Sequence, residues 1–200
     1  MFSACDGDFS YINDMEERKK IEKIYSNHFQ YVKPILICAL QTGMRKEEIL
    51  SLEWRCVNFE KKIITLLVTK NGKKRDIPIS SALKTELEKL KATMLSKYVF
   101  TNPITETRYT DLKRAFTTLC SIANVKGFRF HDLRHSAATR MVASGVDIVT
   151  VKKVLGHSEI TTTMRYSHSG EAQKVNAVEA LASYADRNRK VIPIKKEAAV

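Results

Sequence analysis

Between Trp54 and Ile79 the hydrophobic period of the chain changes, and this change restricts the fold more than any other feature. The runs WRCVNF, IITLLVT and RDIPI are rich in β-branched residues and alternate in polarity. Asn71-Gly72 stands between the last two, and that dipeptide favours a tight hairpin turn. The segment predicts a small antiparallel sheet whose hairpin tip, Lys70-Asn71-Gly72-Lys73-Lys74-Arg75, is basic. On either side the apolar residues recur at helical spacing instead. An amphipathic helix is expected at 14–27 and a buried one at 31–40 (YVKPILICAL). Thr42-Gly43 ends the second, and a short helix from Arg45 to Leu52 follows, with Arg45 at its start. Further helices are expected at 81–97, 110–123, 131–143, 147–155, 160–166 and 172–187, punctuated by Gly127, Gly145 and Gly156. The expected fold is mainly α with a small three-stranded antiparallel sheet, an α+β arrangement.

With 200 residues, 44% of them apolar, the chain can bury one fair-sized core. One domain over 1–170 is expected, followed by a helix and a basic, proline-interrupted tail over 171–200. No apolar run reaches membrane-spanning length, and MFSACDGDFS lacks the order of a secretory signal, so a soluble cytoplasmic protein with no membrane partner is expected. Cys5, Cys38, Cys56 and Cys120 form no C-x-x-C pair, which indicates neither a zinc site nor a disulfide framework. The net charge of +12 is the footprint of a polyanion binder, without separating nucleic acid from anionic lipid or an acidic partner.

Neither G-x-G-x-x-G nor G-x-x-x-x-G-K-[ST] occurs, so phosphate chemistry here must rest on side chains. The stretch from Phe128 to His168 holds four of the five histidines together with arginines and a tyrosine. His131 and His135 stand four apart on a helix, as zinc ligands can. Against that reading, Arg134 would put a fixed positive charge beside the cation, and Asp132 is a methylene shorter than the usual general base. Taken singly, each of these residues is an ordinary surface or core group; in combination they match a metal-free phosphodiester transferase. Such an enzyme needs guanidiniums for the non-bridging oxygens, proton donors for the leaving oxygen and a hydroxyl nucleophile.

The motifs Thr42-Gly43-Met44-Arg45, hairpin Lys70, His131-x-x-Arg134, Leu155-Gly156-His157 and Tyr166, nine residues beyond, resemble the tyrosine recombinase (phage integrase) family from about Val32 to Tyr184. The resemblance implies that Arg45 and Arg134 clamp the scissile phosphate of double-stranded DNA and that His131 and His157 act as acid/base and oxygen donors. It implies that Lys70 protonates the departing 5′ oxygen, with Lys73 and Lys74 as alternatives, and that Tyr166 forms a 3′-phosphotyrosyl intermediate. Glu48 matches the acidic position that supports the arginine and lysine; its ordinary reading is a helix salt bridge. His135 and His168 match no catalytic position and are expected to be structural or backbone contacts. No cofactor, ATP or metal is implied, because one phosphodiester is exchanged for another. The family's N-terminal DNA-clamping domain is expected to be absent from this chain, which implies weak, salt-sensitive DNA binding. The segment 171–200 corresponds to the family's exchanged segment, implying self-association as a tetramer on DNA. A type IB topoisomerase-like relaxing activity, or a non-catalytic DNA-binding regulatory domain of the same fold, are the competing readings.

Overall fold

The computed structural model describes residues 31–67, 74–93, 96–102, 105–167 and 171–187, with Met15, Glu16 and Lys19. Of the expected helix at 14–27 only those three residues are described; the hairpin tip at 68–73, His168 and the tail beyond Arg187 lie outside the described residues.

Helix α1, Val32–Thr42, is apolar on most of its circumference and accordingly sits in the middle of the core, with Ile35, Leu36 and Cys38 wholly buried. It stops because Gly43 takes a left-handed conformation (φ 63°) and donates its N–H to the Ala39 carbonyl at 2.9 Å. Thr42 rigidifies the turn, donating its hydroxyl to the Cys38 carbonyl (2.6 Å) and accepting the Met44 N–H (3.1 Å). Helix α2, Lys46–Leu50, starts at once, and Glu48 caps it by accepting the Arg45 N–H at 2.9 Å.

The sheet has the order β1 (Val57–Asn58), β2 (Ile63–Leu66), β3 (Arg75–Pro78), antiparallel throughout. Trp54–Cys56, expected to begin the first strand, instead forms a 3-10 turn. Its neighbours are held by the 97–99 segment, through Trp54 N–H to the Lys97 carbonyl (3.0 Å) and Val99 N–H to the Leu52 carbonyl (2.8 Å). The same pairing explains why α3, Ser81–Ala92, ends short of the expected Lys97. Register pairs Leu66 with Arg75 and Ile64 with Ile77, so Arg75 shares the inward face with Ile77.

Helices α4 (Lys113–Ile122), α5 (Phe130–Ala143), α6 (Ile148–Leu155) and α7 (Ile160–Met164) complete the body. α5 packs on α1 and α6, and α6 packs on β3 and α7. Asp147 caps α6 through the Val149 and Thr150 N–H groups, and Gly156 (φ 68°) closes it. Ala138, Val151, Leu155 and Tyr166 form a small second core. Residues from Ser167 onward form a separate unit, in which α8 spans Glu171–Arg187. No helix among the described residues is long and apolar enough to cross a membrane.

Gly43 and Gly145 offer a controlled comparison, since both have positive φ. A Cβ at Gly145 meets nothing, whereas at Gly43 it would lie 2.5 Å from Leu155 Cδ2. Gly145→Ala should therefore cost about 1 kcal/mol from backbone strain alone, and Gly43→Ala about 2–4 kcal/mol because a packed leucine must also move. Urea unfolding of both variants measures the difference; equal costs would show that α6 yields freely at this contact.

Candidate active site

The turn after α1 and the turn after α6 meet on one side chain. Arg134, on the buried face of α5 and 3% exposed, donates Nη1 to the Gly43 carbonyl (2.6 Å) and Nη2 to the Leu155 carbonyl (2.7 Å). A planar guanidinium tied at both ends cannot rotate, so its remaining N–H groups have a fixed direction. Burial, followed by repulsion from Arg45, pushes its pKa down to about 10, leaving it a cation at neutral pH.

Arg45 enters from the opposite turn. Its Nη2 donates to the Gly156 carbonyl (3.2 Å) and its Nη1 to Glu48 Oε1 (2.9 Å), while its side chain stays a quarter exposed. Glu48 binds a second arginine with its other oxygen, Arg75 Nη2 at 2.9 Å. Burial pushes the Glu48 carboxyl up, but hydrogen bonds from Arg45 and the charges of Arg75 and Arg45 outweigh it and hold the group below its ordinary value. Arg75 is buried against Gly156, where a Cβ would lie 2.0 Å from Nη1, so only glycine admits the guanidinium. Its Nε and Nη1 have no hydrogen-bond partner among the described residues, and burial lowers its pKa despite Glu48.

His157 follows directly after Gly156, and its Nδ1 lies 2.9 Å from the buried Thr163 hydroxyl. Burial, then the charges of Arg134 and Arg45, push its pKa down to about 4, so the imidazole is neutral at pH 7. Tyr166 is 9% exposed, its ring in the second core and its hydroxyl 2.5 Å from His135 Nδ1. Burial raises the phenol pKa, with Arg134 and Arg165 opposing. His131 is exposed at the first turn of α5, edge-on to His135 with ring centroids 4.8 Å apart. It lines an open cleft of about 840 Å³ together with Arg45 and Glu48.

The structure thus gathers Arg45, Glu48, Arg134, His157 and Tyr166 around the two turns, with His131 at the mouth of the cleft. Lys70 lies outside the described residues, as does Lys73; Lys74 is described, just before β3. Two further residues belong to this cluster. In the sequence Arg75 reads only as a basic hairpin-tip residue, yet the strand register turns it inward; the alternation RDIPI is the signal for it. His135, expected to be a structural or backbone contact, touches the Tyr166 hydroxyl; the only hint was its place one turn after His131. Among the described residues no three His, Cys, Asp or Glu side chains converge as metal ligands would.

A family model, the phage integrase family, matches residues 14–173. The chain belongs to the phage integrase family. It is 32% identical to a tyrosine recombinase XerC-like protein of Caldanaerobacter subterraneus subsp. tengcongensis, over 83% of this chain and 52% of that protein. It is 33% identical to tyrosine recombinase XerA of Pyrococcus horikoshii, over 83% of this chain and 61% of that protein. The chain therefore spans roughly half to three fifths of these relatives' length. Among solved structures, the Tn1549 transposon integrase in complex with a circular intermediate DNA superposes with a TM-score of 0.66 at 21% identity, covering 77% of this chain and 60% of that one. The XerA recombinase crystal structure gives 0.63 at 23% identity, covering 88% and 64%. These likenesses carry the fold: the mainly α architecture with a three-stranded sheet is that of the integrase catalytic domains.

Because the folded His157 pKa of about 4 lies below the unfolded value near 6.5, the stability His157 contributes is complete above pH 6.5 and is lost as pH falls from there towards 4. An NMR titration should find the midpoint near 4, and Arg45→Gln should raise it by removing a repelling cation. A His157 midpoint near 6.5 that ignores Arg45→Gln would show that the arginine cluster does not act on this imidazole.

Proposed function

We propose that the chain is the catalytic domain of a site-specific DNA recombinase or integrase that cuts and rejoins double-stranded DNA through a 3′-phosphotyrosyl intermediate, without metal or ATP. The observation that carries this reading is the charge imbalance of the site. Arg45, Arg75 and Arg134 crowd around the single carboxylate of Glu48 and beside a neutral His157, and Tyr166 lies at the edge. Burial and, after it, repulsion among these cations depress the Arg134 and His157 pKa values, and an incoming dianionic transition state relieves the repulsion.

In this reading Arg45 and Arg134 hold the non-bridging oxygens as oriented forks, and lysine at either place is a poor substitute. His157, held by Thr163, and His131, at the cleft mouth, donate to phosphate oxygens; Lys70 delivers a proton to the leaving 5′ oxygen. Glu48 orients Arg45. Tyr166 attacks phosphorus, the P–O5′ bond breaks, and a second strand's 5′ hydroxyl later reverses the step, so the ester conserves the bond energy. Membership of the phage integrase family, with relatives named tyrosine recombinases, supports the assignment. The body over 1–170 carries the chemistry, acting on nucleoid DNA in the cytoplasm.

The test is a metal-free incubation with nicked suicide duplexes of randomised central sequence, followed by denaturing electrophoresis. Wild type should form a protein–DNA adduct that Tyr166→Phe, one oxygen poorer, abolishes. Failure to bind DNA, or binding without an adduct, overturns the proposal.

The unit from Ser167 onward is proposed to dock on a neighbouring protomer in a tetramer on DNA. Val175, Val178, Leu181 and Tyr184 on α8 are 57–70% exposed, apolar surface suited to such docking. Deleting 171–200 should abolish higher-order assembly on cleavable duplexes in sedimentation; assembly that survives the deletion refutes the docking role.

A further inference from the structure

We infer that His135, not one of the motif histidines, is the base that takes the phenolic proton of Tyr166. The inference rests on the recombinase reading above, and deepens it by assigning a further catalytic residue. A buried phenol is a poor nucleophile at neutral pH: burial raises the Tyr166 pKa, and the opposing charges of Arg134 and Arg165 do not cancel that effect. Attack on phosphorus therefore needs an acceptor already on the hydroxyl. The hydrogen bond that the structure gives the Tyr166 hydroxyl goes to His135 Nδ1, at 2.5 Å. His157 has committed Nδ1 to the Thr163 hydroxyl, and His131 packs at right angles to the His135 ring.

A neutral phenol has one O–H and donates it, so His135 Nδ1 accepts and the ring proton sits on Nε2. The geometry is locked from both sides: α5 fixes His135, and the second core fixes the Tyr166 ring. The charged groups around the pair favour transfer in this direction. Arg134 and Arg165 stabilise the phenolate, while Asp132, on the same helix face, stabilises the imidazolium. An open groove of about 440 Å³, lined by Phe128, Asp132, Ser136 and Arg140 beside His135, lets solvent reach the imidazole.

The step balances. Tyr166 Oη gives its proton to His135 Nδ1 and its electron pair to phosphorus; the P–O5′ bond breaks, and the 5′ oxygen takes a proton from the acid assigned to Lys70. In religation the imidazolium returns its proton to Tyr166 Oη as the phosphotyrosyl bond breaks.

The experiment compares wild type, His135→Gln and His135→Ala on the nicked duplexes that wild type converts to adduct. Glutamine can accept the hydrogen bond but cannot take the proton, so His135→Gln should slow adduct formation by roughly 10²–10⁴-fold with DNA affinity unchanged. Added imidazole should restore His135→Ala and leave His135→Gln, whose side chain fills the site, slow. Adduct formation by His135→Gln at the wild-type rate, or no rescue of a folded, DNA-binding His135→Ala, overturns the inference. Because wild type and Tyr166→Phe run alongside, failure of the recombinase reading shows as an absent wild-type adduct and is distinct from failure here. Nitrogen-15 NMR of the protein without DNA gives a second, activity-free readout: Nδ1 should carry no proton, and an Nδ1–H tautomer contradicts the inference.

Discussion

The two hydrogen bonds of Arg134 hold the site together. One guanidinium, buried on α5, bridges the carbonyls of Gly43 and Leu155, which lie 91 and 21 residues away in sequence. Each carbonyl ends a helix and has no intrahelical donor, so without Arg134 two buried acceptors and a cavity would remain. The arginine thereby fixes how the first turn, carrying Arg45, faces the second, carrying His157. Gly43 and Gly156 make the approach close enough: a side chain at the former would strike Leu155, and at the latter Arg75.

That arrangement leaves the site electrostatically unsatisfied. Glu48 divides its two oxygens between Arg45 and Arg75, and two buried guanidinium nitrogens of Arg75 have no partner among the described residues. Burial and repulsion depress Arg134, Arg75 and His157 together. Keeping three arginines around one carboxylate costs the fold stability, because burial and like-charge repulsion both disfavour the cations. The hydroxyl of Tyr166 lies against His135 with its ring in apolar packing, and the charge of Arg134 reaches it there.

The sequence by itself determined the order of helices and the small sheet, because both follow from local periodicity and from turn residues such as Thr42-Gly43 and Gly156. The site set of Arg45, Lys70, His131, Arg134, His157 and Tyr166, with Glu48 beside them, came from the likeness of the motifs to the phage integrase family and not from periodicity. Only the tertiary structure decided the partners. Strand register turns Arg75 from the hairpin rim into the interior, and the packing of α7 beyond α6 brings Tyr166 to His135, 31 residues earlier in the chain. The Trp54 turn and the early end of α3 were settled in the same way, by backbone pairing between 52–54 and 97–99. Periodicity reports which face of an element is apolar, but which polar groups meet depends on non-local packing, where burial penalises every donor or acceptor left unpaired.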